Sequence, residues 1–170
     1  MTQGSDDTLT LTHLIERARE HARWLYDGVE TPHRSCGISI AETFGLPTAP
    51  YQSLRKGGIT GCGECGAIKG GELVLGQLLG DPDPRGAVTP QLRQAAFLYR
   101  DLWREALDLG DGPAGSIVCN DLTSQFEHFK GPERHAFCTA LAAGVADAVA
   151  RTLAQVAPDV LEARVDKEDE

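Results

Sequence analysis

The sequence contains no apolar run approaching the roughly 20 residues that cross a membrane as a helix. Its first residues, Met1 to Asp7, are polar and acidic, where a secretion signal would place basic and then apolar residues. These two absences point to the cytoplasm and away from a membrane partner. Basic residues are outnumbered, 16 Lys and Arg against 25 Asp and Glu, for a net charge of −9. A nucleic-acid partner needs a basic surface, so that class is excluded as well. Strand-like alternation is missing: only Ser116 to Cys119 could pass for a strand, and it is too short to build a sheet. There is no internal repeat, no GxxxxGK[ST] phosphate loop and no Cys-x-x-Cys-His haem attachment.

What remains is helical periodicity in a chain of 170 residues, which is one domain by length and long enough to bury a core without disulfides. Leu11, Leu14, Ile15, Ala18, Ala22 and Leu25 recur at threes and fours and predict an amphipathic helix ending near Gly28. Its His13 and His21 read as exposed or packing histidines. Thr31-Pro32 reads as a cap and first helical residue, predicting a short helix to Phe44 that carries Cys36 on its apolar face. Pro47 to Lys56 reads as loop. Thr89-Pro90 repeats the cap, and Leu92, Ala95, Ala96, Tyr99, Leu102, Trp103 and Ala106 form the most regular stripe, a scaffold helix. Pro132-Glu133 opens a last, alanine-rich helix that Pro158 ends. The expected fold is all-α, a single-domain bundle of about five helices over residues 1–158, followed by an acidic flexible tail over 159–170.

The chain's most unusual stretch is Gly57 to Gly71, where glycine is denser than any stable helix or strand favours. Within it Cys62 and Cys65 stand at CxxC spacing, where the glycine loop gives way to the apolar periodicity of Leu73, Val74, Leu75, Leu78 and Leu79. A helix N-terminus favours thiolate over thiol, so this position predicts a lowered cysteine pKa. Gly61, Gly63, Gly66 and Gly70 leave room beside the thiols, for close helix packing or for a cofactor. Glu64 is a candidate proton donor, although an exposed carboxylate is the simpler reading. Cys36, Cys119 and Cys138 also lie near helix starts or on apolar faces, so all five cysteines are candidates to converge on one edge of the bundle. His33 and His135 each precede a cysteine by three residues and are weaker candidate ligands. In a reducing compartment such cysteines read as metal ligands or redox thiols before structural disulfides.

Cys36, then Cys65-Gly66-Ala67-Ile68-Lys69-Gly70 as a CGAxxG motif, then single Cys119 and Cys138, resemble the C_GCAxxG_C_C family of redox-active proteins. The match runs from Cys36 to about Leu153. The resemblance implies an all-helical domain whose Cys36, Cys65, Cys119 and Cys138 form a redox site. A similar domain occurs in split-Soret cytochromes, which carry iron and sulfur as well as haem. Cys62 departs from the four-cysteine pattern and is left as a fifth ligand, a resolving thiol or a bystander.

Three readings follow for the site. In the first, the cysteines hold an iron–sulfur cluster for electron transfer or redox sensing, with glycine supplying room and backbone N–H donors. In the second, Cys65 is the attacking thiolate of a thiol–disulfide oxidoreductase and Cys62 or another cysteine resolves it. The third is a zinc-stapled interaction module, although zinc would more usually show a second close ligand pair. The expected partner is a redox protein or a small thiol, and a homodimer stays open because dimers are the commonest oligomers.

Overall fold

The computed structural model describes residues 3–165. They form an all-α fold of α1 (Gln3–Asp27), α2 (Cys36–Thr43), α3 (Gly66–Leu79), α4 (Pro90–Ala106), α5 (Cys119–Thr123), α6 (Pro132–Val156) and α7 (Pro158–Val165), with a 3-10 turn at Ala49–Leu54. No strand occurs among the described residues; the segment around Ser116 to Cys119 makes only an isolated antiparallel bridge, Glu64 to Val118. The all-α class holds. Seven α-helices and a 3-10 turn replace the expected five helices among the described residues, because α5, α7 and the 3-10 turn are too short for periodicity to reveal.

The central element is α6, which packs against α1, α2, α3, α4 and α7. Its alanines make this arrangement possible: Ala142, Ala146, Ala148 and Ala150 are fully buried beside Val145, Val149 and Leu153. Ala18 and Ala22 of α1 are likewise sealed, so small side chains face each other and the two helix backbones approach closely. By length and composition α6 is long and apolar enough to cross a membrane, with a mean hydropathy of 1.3, which the sequence reading had not identified in any segment. Its apolar window is 67% buried by the surrounding helices, as suits the core helix of a bundle.

Helix α4 starts where the sequence places it: Thr89 accepts the Leu92 N–H at 3.1 Å and Pro90 occupies the first turn. It buries Ala95, Tyr99 and Trp103. The Tyr99 hydroxyl donates to the Ile68 carbonyl at 2.8 Å and sits over Gly71, whose missing side chain leaves it room. Helix α3 ends at Gly80, as expected.

Two boundaries differ from the sequence reading. Helix α2 begins at Cys36, after Ser35, and Thr31-Pro32 does not start it. The Arg34 N–H instead pairs with the Leu25 carbonyl at 2.8 Å, tying this segment to the end of α1. His33 therefore lies outside α2 and does not share a helical face with Cys36. The expected flexible tail is a helix as far as Val165: α7 buries Leu161 and Val165 and packs on α1 and α6. Apolar residues spaced by four inside an acidic segment were enough to fold it. The rest of the expected tail, 166–170, lies outside the described residues.

Candidate cysteine site

Four cysteines from four separate helices line one cavity. Cys36 opens α2, Cys65 caps α3, Cys119 opens α5 and Cys138 lies in the second turn of α6. The cavity measures about 30 Å3 and is closed by Tyr26, Gly66, Ala67, Leu122, Phe137 and other apolar contacts. That is room for on the order of two water-sized groups and for no bulky organic cofactor. All five cysteines are free thiols.

Local backbone explains the convergence. Cys36 has φ 41°, a left-handed conformation that side chains other than glycine rarely adopt and that costs on the order of 1 kcal/mol or more. Gly66 allows the approach of α2 and α3: a Cβ there would stand 2.1 Å from the Leu54 carbonyl oxygen and 2.9 Å from the Cys36 Cβ. One turn on, a Cβ at Gly70 would lie 2.6 Å from the Gly37 Cα. Two helix backbones thus meet without side chains between them, and their first residues bring sulfur to the same point. Cys119 is placed by the glycine loop. Its N–H donates to the Gly63 carbonyl at 2.9 Å, the Asn120 N–H to the Gly61 carbonyl at 2.8 Å, and the Cys65 N–H to the Ile117 carbonyl at 2.6 Å. Gly57, at φ 56°, packs against the Cys119 Cβ, where a side chain would come within 2.4 Å.

Of the four glycines expected beside a cofactor, then, Gly66 lines the cavity. Gly61, Gly63 and Gly70 serve backbone approach: Gly61 to Asn120, Gly63 to Gly57, and Gly70 to Gly37. Cys62 is not brought to the cavity. It is exposed on the turn before the Glu64–Val118 bridge, its N–H held at 3.2 Å by the Thr60 hydroxyl and its sulfur 4.0 Å from Asn120 Nδ2. Glu64 is ion-paired at the surface with Lys69 at 2.8 Å.

The electrostatics of the protein groups around the site oppose thiolate. Burial pushes the Cys65 thiol up to about 12, against N–H donation to its sulfur from Ile68 and Ala67 at the α3 N-terminus. The lowered pKa expected of a helix N-terminus is therefore reversed, because desolvation outweighs the dipole when the sulfur is fully enclosed. Burial also raises Cys119, to about 11, and raises Cys36, with the Lys56 N–H bonded to the Cys36 sulfur pulling the other way. Arg134 opposes the shift at both, and Lys56 adds its charge at Cys119. Both cations reach the same aromatic ring, Lys56 Nζ at 5.0 Å and the Arg134 guanidinium at 4.6 Å from the centre of Phe129.

Sequence reasoning overlooked Tyr26. Burial raises its hydroxyl far above the ordinary phenol range, and it hydrogen-bonds Cys138 while accepting from Arg134 Nη1 at 3.3 Å. Its place at the end of an apolar stripe gave no sign of this role. His33 and His135, the weaker candidate ligands, pack against Tyr26 with ring centres 4.7 and 5.7 Å away. His33 Nδ1 donates to the Tyr26 carbonyl, and His135 Nε2 meets the Asp27 carbonyl at 2.9 Å. The imidazoles line the outside of Tyr26 and are not among the cavity's lining groups.

Among the described residues, no three His, Cys, Asp or Glu side chains are grouped as ligands to a metal ion. The donor set suits a thiolate-bound cluster, with four sulfurs, backbone N–H donors on two of them and an apolar wall, but the space of about 30 Å3 between them is smaller than such a cluster, so the surrounding helices would have to part to admit one. Compared with family models, with curated proteins and with solved structures, the chain matches none.

Proposed function

We propose that this chain is a cysteine-based redox protein in which Cys36, Cys65, Cys119 and Cys138 hold an iron–sulfur cluster for electron transfer or redox sensing. One observation carries the reading: four thiols contributed by four different helices line a single buried cavity, while the fifth, Cys62, lies outside it. The same four are those that the resemblance to the C_GCAxxG_C_C family implies. A cluster bound there would supply one-electron transfer.

The chain's own groups prepare the site in three ways. Backbone N–H groups of Lys56, Ala67 and Ile68 donate to sulfur and withdraw electron density from it. Lys56 and Arg134 place positive charge beside the sulfurs, which offsets the negative charge of several thiolates in a low dielectric. Phe137, Leu122 and Tyr26 exclude water. With their pKa values raised, Cys36, Cys65 and Cys119 are protonated at neutral pH in metal-free protein, so metal binding must release protons and strengthen as pH rises.

This burial weakens the thiol–disulfide reading, since an enclosed Cys65 thiol held near 12 is a poor nucleophile and the exposed Cys62 does not face the same cavity. The test is iron and acid-labile sulfide content with a visible spectrum, on protein purified without oxygen and reconstituted with iron and sulfide. Coloured protein with matching iron and sulfide is expected; Cys36→Ser, Cys65→Ser, Cys119→Ser and Cys138→Ser should lose most of it, and Cys62→Ser none. Colourless protein that binds zinc, or metal-free protein whose Cys65 cycles with a disulfide, would overturn the proposal.

A further inference from the structure

Tyr26 lies in the last turn of α1 and forms part of the cysteine cavity's wall, together with Cys138 and Phe137. It is 2% exposed. A phenol so enclosed stays neutral, because its anion would forgo hydration, and it therefore has one proton to donate. The Arg134 guanidinium already donates to the phenol oxygen, with Nη1 3.3 Å away. Arg134 is itself anchored, since its Nε donates to the Phe129 carbonyl and its guanidinium carbon stands 4.6 Å from the centre of the Phe129 ring. His33 and His135 pack on the Tyr26 ring, and His33 Nδ1 bonds the Tyr26 carbonyl, so ring and backbone are both held.

With an arginine donating to the oxygen, the hydroxyl proton has to point elsewhere. Among the described residues the acceptor it meets is the Cys138 sulfur. This sets Cys138 apart. Cys36 and Cys65 receive backbone N–H groups, whose positions belong to the fold. Of the four cavity sulfurs, Cys138 is the one that takes a hydrogen bond from a side chain among the described residues.

We infer that Tyr26, oriented by Arg134, is a positioning residue that stabilises negative charge on the Cys138 sulfur, and so sets how readily that sulfur reacts and how readily a cluster bound to it accepts an electron. The electron half rests on the cluster reading; the sulfur half does not. An O–H aimed at sulfur bonds more strongly as negative charge collects there, which favours thiolate over thiol and a reduced occupant over an oxidised one. One electron from a reductant such as dithionite adds to the cluster, no bond breaks, and the phenol proton stays on its oxygen.

Two measurements on Tyr26→Phe, which keeps the ring and removes only the hydroxyl, test this. The first alkylates metal-free, folded protein in a Cys62→Ser background with iodoacetamide at mildly alkaline pH, and follows each cysteine by peptide mass spectrometry. Cys138 should react about tenfold more slowly than in the parent, the scale of one charge-assisted hydrogen bond, while Cys36 and Cys119 keep their rates. A tyrosine that merely filled space would give the opposite sign, faster alkylation through a loosened wall. The second is a redox titration of protein reconstituted with iron and sulfide. The midpoint potential should become more negative with iron and sulfide contents unchanged, and Tm should fall by only about 2–4 °C. Arg134→Lys keeps the charge and loses the fork, and should move the alkylation rate and the potential in the same directions by less. Unchanged or faster alkylation of Cys138 in Tyr26→Phe would overturn the inference, as would an unchanged or raised potential; wild-type values of both in Arg134→Lys would remove the arginine from it. Wild-type protein that takes up no iron and sulfide would refute the cluster reading and the electron half with it, while the Cys138 rate would still decide the sulfur half.

Discussion

Two glycines of the same helix should respond to alanine with opposite signs. Gly70 and Gly76 both lie within α3, where alanine is intrinsically favoured by up to about 1 kcal/mol. At Gly76 an added Cβ meets nothing within 4 Å, so Gly76→Ala should stabilise by roughly 0.5–1 kcal/mol. At Gly70 it would stand 2.6 Å from the Gly37 Cα, about 1 Å inside a comfortable carbon contact. That neighbour is backbone and has no rotamer to move, so α2 and α3 must separate. Overpacking of this kind costs about 1–3 kcal/mol, which more than offsets the propensity gain. Net destabilisation by on the order of 1–2 kcal/mol should lower Tm by about 2–8 °C in a domain of this size. Urea and thermal unfolding of the wild type and both variants provide the assay. If Gly70→Ala were as stabilising as Gly76→Ala, the backbone contact between α2 and α3, and with it the placement of Cys36 beside Cys65, would be refuted.

Three further predictions follow from the same geometry. At pH 8, in metal-free protein, iodoacetamide should modify the exposed Cys62 well before any other cysteine, and mass spectrometry after partial reaction should find a single adduct there. The Cys65 thiol has a higher pKa folded than unfolded, so its contribution to stability is complete below about pH 9 and is lost as pH rises towards about 12. Denaturation of metal-free protein across that window should show a falling stability, with Cys65→Ala reducing the slope by at most ~1.4 kcal/mol per pH unit; an unchanged slope would show that Cys65 is not enclosed. Thr89→Ala removes the cap of α4 and the hydroxyl's bond to the Leu79 carbonyl at 2.5 Å, and should cost about 1 kcal/mol in urea unfolding, largely restored by Thr89→Ser.

Periodicity made the scaffold legible. The stripe of α1, the cap of α4 and the glycine stop of α3 are each a local signal of a few residues, and local chemistry alone decides them. Helix α2 and its end at Phe44 were legible, but its start escaped because Thr31-Pro32 satisfies a local rule that a tertiary bond, Arg34 N–H to the Leu25 carbonyl, overrides. Helix α7 escaped because acidic composition concealed two apolar positions that find a partner only in the folded bundle. The cysteines suggested a site, but nothing local separates Cys62 from Cys65. The separation comes from backbone pairing of the Gly61–Cys65 segment with Ile117–Asn120, far along the chain. The pKa of Cys65 was misjudged for the same reason: the helix end is visible in sequence, whereas its enclosure by α5 and α6 is not.

The distribution of the four sulfurs over α2, α3, α5 and α6 also bears on the order of events in folding. Only α5 and α6 are consecutive and joined by a short segment; the other sulfurs come from elements far apart in the chain, so the four-sided cavity is complete only after α6 has docked on α2 and α3. Whatever binds all four recognises the finished topology and has little affinity for the unfolded chain. Its binding free energy, less whatever the unfolded chain's cysteines gain from it, adds to native stability and acts as a four-way cross-link laid down last. Loss of that occupant would loosen the junction of four helices at once, turning a local chemical event into a change in the lifetime of the whole protein.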